Sequence, residues 1–163
     1  AKCPENGFVM YKSSFSSDEI SKLREFVLSD AYRSLVETHS TRYLEAALRK
    51  HLGEAPYDVA WSLVQATWEV ASDPARYKQY AEEALATYEG IKIESLREAR
   101  HRVLKQTISG ELERRLGLFD KARDRFFGMR DSAEFATKFM QRVIDLQLKL
   151  IRAKDASSQR MPY

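Results

Sequence analysis

The chain has 163 residues, and its 27 Lys and Arg against 24 Asp and Glu leave a formal net charge of +3. With 44% hydrophobic and 31% charged residues, the composition is typical of a globular chain with a sizeable core, which excludes wholesale disorder. Six Gly and four Pro provide little turn material, so the composition disfavours a many-stranded β-sandwich and favours long helices.

The same composition excludes several kinds of protein. No run of apolar residues approaches the roughly 18 that a membrane span needs, and the amino-terminal part lacks the pattern of a signal peptide. We therefore expect a cytoplasmic protein without membrane contact. The single cysteine, Cys3, cannot form a disulfide within the chain.

The first element in chain order is a short extended segment. Pro4 and Gly7 punctuate it, and the side chains of residues 8–11 alternate in the way a strand requires. Ser17 is predicted to cap the first helix, because its hydroxyl can accept a backbone N–H and Asp18 suits the positive end of the helix dipole.

Helical periodicity predicts the following elements up to the middle of the chain. A helical stretch over 31–52 is interrupted near His39, where weak helix formers adjoin, and Gly53 closes it. The next helix opens at Pro56, a favoured first-turn position, and the one after it opens at Asp73–Pro74.

The second half is predicted to contain three more helices. They cover residues 94–117, ended by Gly117, then 119–129, then a last helix capped by Ser132 that runs to about Ala153. The remaining residues have no periodicity, which is typical of a flexible tail. We thus predict an N-terminal extended segment, one helical domain and a flexible tail, with the respective boundaries 1–16, 17–153 and 154–163.

One stretch carries a packing motif. Gly110, Gly117, Phe119, Ala122 and Phe126 have the spacing of a helix–turn–helix in which small residues admit a close crossing and aromatic residues fill it. These positions resemble the tetratricopeptide repeat. Larger apolar or aromatic residues are usual at three further positions of that repeat, here Gln106, Ser109 and Glu113. The predicted fold class is all-α, with antiparallel helical hairpins in a tetratricopeptide-like α–α superhelix and a short extended N-terminal element.

Three segments together resemble a whole family. CPENGF near the start, PYDVAWSLVQATWEVASDPARYKQY, and GELERRLGLFDKARDRF are similar to an uncharacterised bacterial family. Its members join a Cys-containing, zinc-ribbon-like N-terminal segment to a tetratricopeptide-like helical body. They often have CPxCG where this chain has CPENG, so Asn6 stands at the position of the second Cys.

Metal and catalytic chemistry find few suitable residues. A structural zinc site needs four ligands, usually with at least two Cys, whereas Cys3 has only His39, His51 and His101 and scattered carboxylates to join it. We predict no metal site and no cofactor, with metal binding through Cys3 kept as an alternative. His39 lies among Thr38, Ser40, Thr41 and Tyr43, but a helix break explains those hydroxyls. Phosphate, dinucleotide and zinc-protease motifs are missing, so we predict no catalytic residues and no enzyme.

Charge directs the functional hypothesis to the middle of the chain. Residues 97–130 hold 10 basic and 5 acidic side chains, a net charge of +5. We expect a non-catalytic helical-repeat module that binds an acidic protein or peptide segment. Nucleic-acid binding by the same basic segment is the main alternative, and the sequence leaves the oligomeric state open. The predicted partner contacts are Arg97, Arg100, Lys105, Arg114 and Arg115.

Overall fold

The fold is all-α, as predicted. The structure is a computed structural model, and it describes residues 2–159. Within that range the only β-type pairing is one antiparallel bridge between Lys2 and Val9. Two single-turn 3-10 helices cover Ile93–Ser95 and Ala133–Phe135. The α-helices of the described residues are α1 (Ser17–Leu28), α2 (Asp30–Thr38), α3 (Thr41–Leu52), α4 (Pro56–Glu69), α5 (Pro74–Glu89), α6 (Ala99–Arg115), α7 (Phe119–Arg130) and α8 (Lys138–Arg152).

The helices form two compact units, Ala1–Thr87 and Tyr88–Tyr163. The first unit holds 10 Lys and Arg against 13 Asp and Glu, and the second holds 17 against 11, so their formal net charges are −3 and +6. The predicted limits of a single helical domain, 17–153, stay a prediction. Residues 160–163 of the predicted flexible tail lie outside the described residues.

The helix ends of the first unit follow their capping residues. Ser16, one residue before the predicted Ser17, caps α1, because Ser16 and Glu19 exchange hydrogen bonds in a capping box. The chain breaks between α2 and α3 at His39, as predicted. Gly53 ends α3 in the left-handed conformation, with φ 70°, and Pro56 begins α4. The three residues between them produce an antiparallel hairpin.

Two predicted helix starts in the second unit are wrong. The helix expected from residue 94 begins at Ala99, because the Arg102 guanidinium donates to the carbonyls of Leu96 and Arg97 and holds them outside the helix. The last helix begins after Thr137 rather than Ser132, since the Thr137 hydroxyl accepts the backbone N–H of Met140.

The N-terminal segment packs on α2. Tyr32, which is fully buried, donates its hydroxyl to the carbonyl of Gly7 at 2.9 Å, and burial raises the pKa of Tyr32 to about 12. Gly7 has a φ of 74°, and a Cβ there would lie 2.3 Å from a methyl group of Val36. Asn6 accepts the backbone N–H of Phe8 at 3.0 Å. Asn6 therefore shapes the turn before Val9, a buried core residue.

The helical hairpin of the second unit has the packing that the repeat-like motif predicts. α6 packs against α7, and Gly117 makes the turn with a φ of 77°. Ala122 and Phe126 are fully buried in a core shared with Ile144 of α8. A Cβ at Gly110 would lie 2.6 Å from the Phe126 ring, so the close crossing requires glycine.

No helix among residues 2–159 combines the length and the apolar character that crossing a membrane demands.

Two glycine substitutions test this crossing. Gly110→Ala should lower the free energy of unfolding, because an overpacking cost of about 1–3 kcal/mol exceeds the helix-propensity gain of about 0.5–1 kcal/mol. Gly128→Ala, on α7 with no atom near the new Cβ, should instead raise it by that propensity gain. Urea unfolding followed by circular dichroism measures both.

The double variant with Phe126→Leu provides the control. If the methyl group introduced by Gly110→Ala clashes with the Phe126 ring, Gly110→Ala and Phe126→Leu together should cost less stability than the sum of the single changes. Equal stability of the wild type and Gly110→Ala would contradict the close crossing.

Candidate functional site

The five predicted partner contacts do not form one exposed face. Arg97 and Arg100 are exposed and Arg115 is half-buried, whereas Lys105 is 6% exposed and Arg114 is fully buried. Burial also lowers the pKa of Lys105. Lys105 and Arg114 are thus buried, and the assignment of the five residues to a partner surface stays a prediction.

Arg114 is buried because it holds the end of the second unit together. Its Nε donates to Oε1 of Gln147 on α8 at 2.7 Å, and its Nη1 donates to the carbonyls of Asp155 and Ser157. Sequence reasoning missed this role, since an arginine in a basic helix is ordinarily exposed.

A buried ion pair joins α6 to α7 in the second unit. Arg125 of α7 donates from Nε and Nη2 to both carboxylate oxygens of Glu113 at 2.9 and 2.8 Å, and from Nη1 to Gln106. Glu113 is 3% exposed, and its buried carboxylate is tolerated because Arg125 neutralises it.

The first unit contains an open groove of about 710 Å³. Its lining comes mainly from α3, α4 and α5, and its volume lies within the range of ligand-binding clefts, about 300–1,000 Å³. Alanine side chains at three places along the groove leave this space open. We call it the α3–α5 groove, and its central lining residues are Tyr43, Ala46, Ala47, Val59, Leu63 and Ala86.

Opposite charges lie at different positions along the α3–α5 groove. Glu83 accepts the Tyr43 hydroxyl at 2.9 Å, while Lys50 lines the groove seven residues after Tyr43, about 10 Å further along α3. His51 adjoins Lys50, and its ring stacks on Phe26 with centroids 4.2 Å apart. Neither Lys50 nor Glu83 makes an ion pair within residues 2–159, so both charges are available to a ligand.

A buried network on another side of α3 fixes this wall of the groove. Glu45, 3% exposed, accepts hydrogen bonds from Arg42, Arg49 and Ser62, which joins α3 to α4. Arg49 also donates to Glu54 at 2.7 Å. The carboxylate of Glu54 is therefore neutralised, although it lines the groove.

The N-terminal segment joins the same network. Tyr11 donates to Glu54 at 2.8 Å, and burial together with this hydrogen bond raises the pKa of Tyr11. The Arg49 guanidinium lies over the Tyr11 ring, 4.4 Å from its centroid. The contact connects the segment before α1 to the end of α3.

His39 lies in an aromatic cluster rather than among hydroxyl nucleophiles. Its Nδ1 is 2.9 Å from the Tyr80 hydroxyl, which also accepts the backbone N–H of Ser40. In the neutral imidazole with its proton on Nε2, Nδ1 accepts the Tyr80 hydroxyl proton. The Thr38 hydroxyl donates to the Ser34 carbonyl, away from His39. The sequence neighbours of His39 thus do not form a base–nucleophile pair.

The Tyr43 ring connects this cluster to the α3–α5 groove. It stacks on both His39 and Tyr80, with centroids 4.0 and 4.5 Å apart. Burial lowers the pKa of His39, and burial followed by the Glu83 hydrogen bond raises the pKa of Tyr43. Both groups are therefore neutral near pH 7, and Glu83 is the charged group at this end.

Metal binding through Cys3 finds no ligand set. No group of three or more His, Cys, Asp and Glu side chains is placed to hold a metal ion within the part of the chain that the structure describes. Cys3 instead lines a smaller apolar depression of about 360 Å³ with Phe8 and Ile20.

Comparison with known proteins found no match to a protein-family model, a curated protein or a solved structure. The all-helical body agrees with the family resemblance seen in the sequence, while its zinc-ribbon part has no support in the ligands present. The function is accordingly argued from the groove.

The cluster around His39 predicts a pH dependence of stability. Burial lowers the pKa of His39 in the folded protein below its ordinary value of 6.5. Below pH 6.5 the unfolded chain therefore binds more protons at this residue than the folded protein does. The contribution of His39 to stability is thus complete above pH 6.5 and is lost as the pH falls through the folded-state value. Urea unfolding of the wild type should therefore show a lower free energy of unfolding at about pH 5 than at about pH 7.5, the range in which a histidine changes its charge.

The matched variant is His39→Asn, whose amide oxygen can accept from Tyr80 but does not titrate. Its unfolding free energy should fall less over the same range, although Glu83 and Arg76 still surround the site. Identical pH profiles for the two proteins would contradict a neutral, half-buried His39.

Proposed function

We propose that the first unit is a non-catalytic interaction module that binds a peptide segment of a partner protein in the α3–α5 groove. The observation that carries the proposal is an open groove of about 710 Å³ with an apolar floor and opposite charges along it. Packed helical hairpins support such grooves, because their lining side chains can differ without disturbing the helix packing.

The charges define the chemistry of the peptide. Its apolar side chains would contact Val59, Leu63 and the alanines, an acidic group would meet Lys50 and His51, and a basic group would meet Glu83. The spacing of about 10 Å corresponds to about seven residues of a helix or three of an extended chain. For a bound helix, the negative carboxyl end would lie toward Lys50.

This proposal moves the binding site from the basic segment to the first unit. An acidic partner at residues 97–130 would contact a surface in which Lys105 and Arg114 are buried. Arg102 and Arg123 pair with Glu134 and Asp120 respectively. The tetratricopeptide-like stacking remains part of the proposal, supported by the close crossing in the second unit.

Selection from a random peptide library tests the groove. We expect the wild type to enrich peptides with apolar residues between one acidic and one basic residue. Ala86→Phe, which fills the groove from α5, should abolish that enrichment. Ala75→Phe is the matched control, because Ala75 is an exposed residue at the start of the same helix and outside the groove lining.

Charge reversal provides the second measurement, by titration of one enriched peptide. Glu83→Lys should weaken its binding and shift selection toward peptides with an acidic residue in place of the basic one. Glu82→Lys, an exposed neighbour outside the groove lining, should leave binding unchanged. Enrichment of the same peptides by Ala86→Phe and by the wild type would overturn the proposal.

A further inference from the structure

The outer face of α8 carries a stripe of basic side chains. Helix geometry places its four exposed cations within about 80° of arc and spreads them over about 21 Å. Asp145 is the one acidic residue on this stripe. We call this surface the α8 basic stripe, and its cations are Lys138, Arg142, Lys149 and Arg152.

Three arginines elsewhere in the second unit are paired with carboxylates. Arg102 pairs with Glu134, Arg123 with Asp120, and Arg125 with Glu113. Within residues 2–159, by contrast, no cation of the α8 basic stripe makes an ion pair or a hydrogen bond through its side chain. The stripe therefore keeps a net charge of +3 facing solvent.

Helix stability does not explain the first half of this stripe. Lys149 and Arg152 suit the negative carboxyl end of α8, but Lys138 is the first helical residue, where the dipole disfavours a cation. The first turn contains no acidic residue to compensate. An external anion would remove this repulsion.

An exposed aromatic ring lies near Lys138 and Arg142, the first two cations of the α8 basic stripe. Phe139 is 61% exposed, follows Lys138 directly and lies one helical turn before Arg142. This bare phenyl ring lies beside the stripe, about 60° around the helix from Arg142, where it is suited to stacking against a nucleobase while the cations bind the neighbouring phosphates.

The opposite face of α8 argues against a lipid surface as the partner. An amphipathic helix binds a bilayer by burying its apolar face in it. The apolar face of α8 is already buried in the core of the second unit, through Ile144, Leu148 and Ile151.

We propose that the α8 basic stripe binds single-stranded nucleic acid, with phosphates at its four cations and one base stacked on Phe139. This inference rests on unit 2 alone and is independent of the peptide groove. A single strand fits better than a duplex, because the bases of a duplex are not free to stack on a side chain.

Fluorescence anisotropy with labelled oligothymidylate and oligouridylate of about 10 nucleotides tests the proposal. Four phosphate contacts predict a slope of about −2.8 for the logarithm of the association constant against the logarithm of salt concentration. The two probes distinguish DNA from RNA, and a duplex of the same length should bind more weakly than the better of them.

Variants separate the two parts of the site. Phe139→Ala should weaken binding by about 5- to 150-fold with an unchanged salt slope, since it removes stacking and no charge. Lys138→Gln with Arg142→Gln should reduce the magnitude of the slope by about 1.4. The matched controls are Leu118→Ala, which removes another exposed apolar side chain of the same unit, and Arg97→Gln with Lys121→Gln, which removes two other exposed cations. Both controls should bind as the wild type does.

Several results would overturn the proposal. They are the absence of binding at the lowest salt concentration and equal binding by wild type and Phe139→Ala. A third is that polyglutamate displaces the oligonucleotide equally well from the wild type and from Phe139→Ala. Binding to phosphatidylserine vesicles without binding to either oligonucleotide would assign the stripe to a membrane and also overturn it. Circular dichroism confirms that each variant remains helical.

Discussion

The architecture of the first unit depends on the hydrogen bonds and ion pairs that the buried carboxylate of Glu45 makes. It takes a charge into the contact between α3 and α4, and it is tolerated because Arg42, Arg49 and Ser62 donate to it. Removing one partner from such a buried pair typically costs about 3–5 kcal/mol. Since Arg49 also binds Glu54, one cluster sets the position of α3 and the start of the turn after it.

The groove follows from this constraint. With α3 fixed by charges on one of its sides, another side can carry alanines without losing its position. A wall held by larger apolar side chains would fill the space that a ligand needs. The same separation leaves Lys50 and Glu83 unpaired, because the other charged residues of this region are used in the network.

Local signals made most of the fold predictable. Gly53, Pro56 and Gly117 marked helix boundaries through their own backbone preferences, and the Gly110–Phe126 crossing followed from side-chain size alone.

The errors arose where residues distant in the sequence determine a helix boundary or the burial of a side chain. Arg102 keeps the chain before α6 out of the helix by binding carbonyls, a contact that no propensity encodes. The charged residues of the second unit were harder to place, because burial of Arg114 and pairing of Glu113 with Arg125 depend on tertiary contacts. A sequence count of charges cannot distinguish a buried guanidinium from an exposed one, and the alanines of the groove carry no local signal of a cavity.

Arg114 also determines how much chain the second unit needs. Its guanidinium lies in the core, yet two of its acceptors are main-chain carbonyls of Asp155 and Ser157, which follow the end of α8. Cleavage just after the last helix would therefore take away hydrogen bonds that compensate for a desolvated positive charge. The second unit therefore extends as far as the carbonyls that Arg114 binds, beyond the last residue of α8. A protease that removes this exposed segment would destabilise the buried core without cutting any helix.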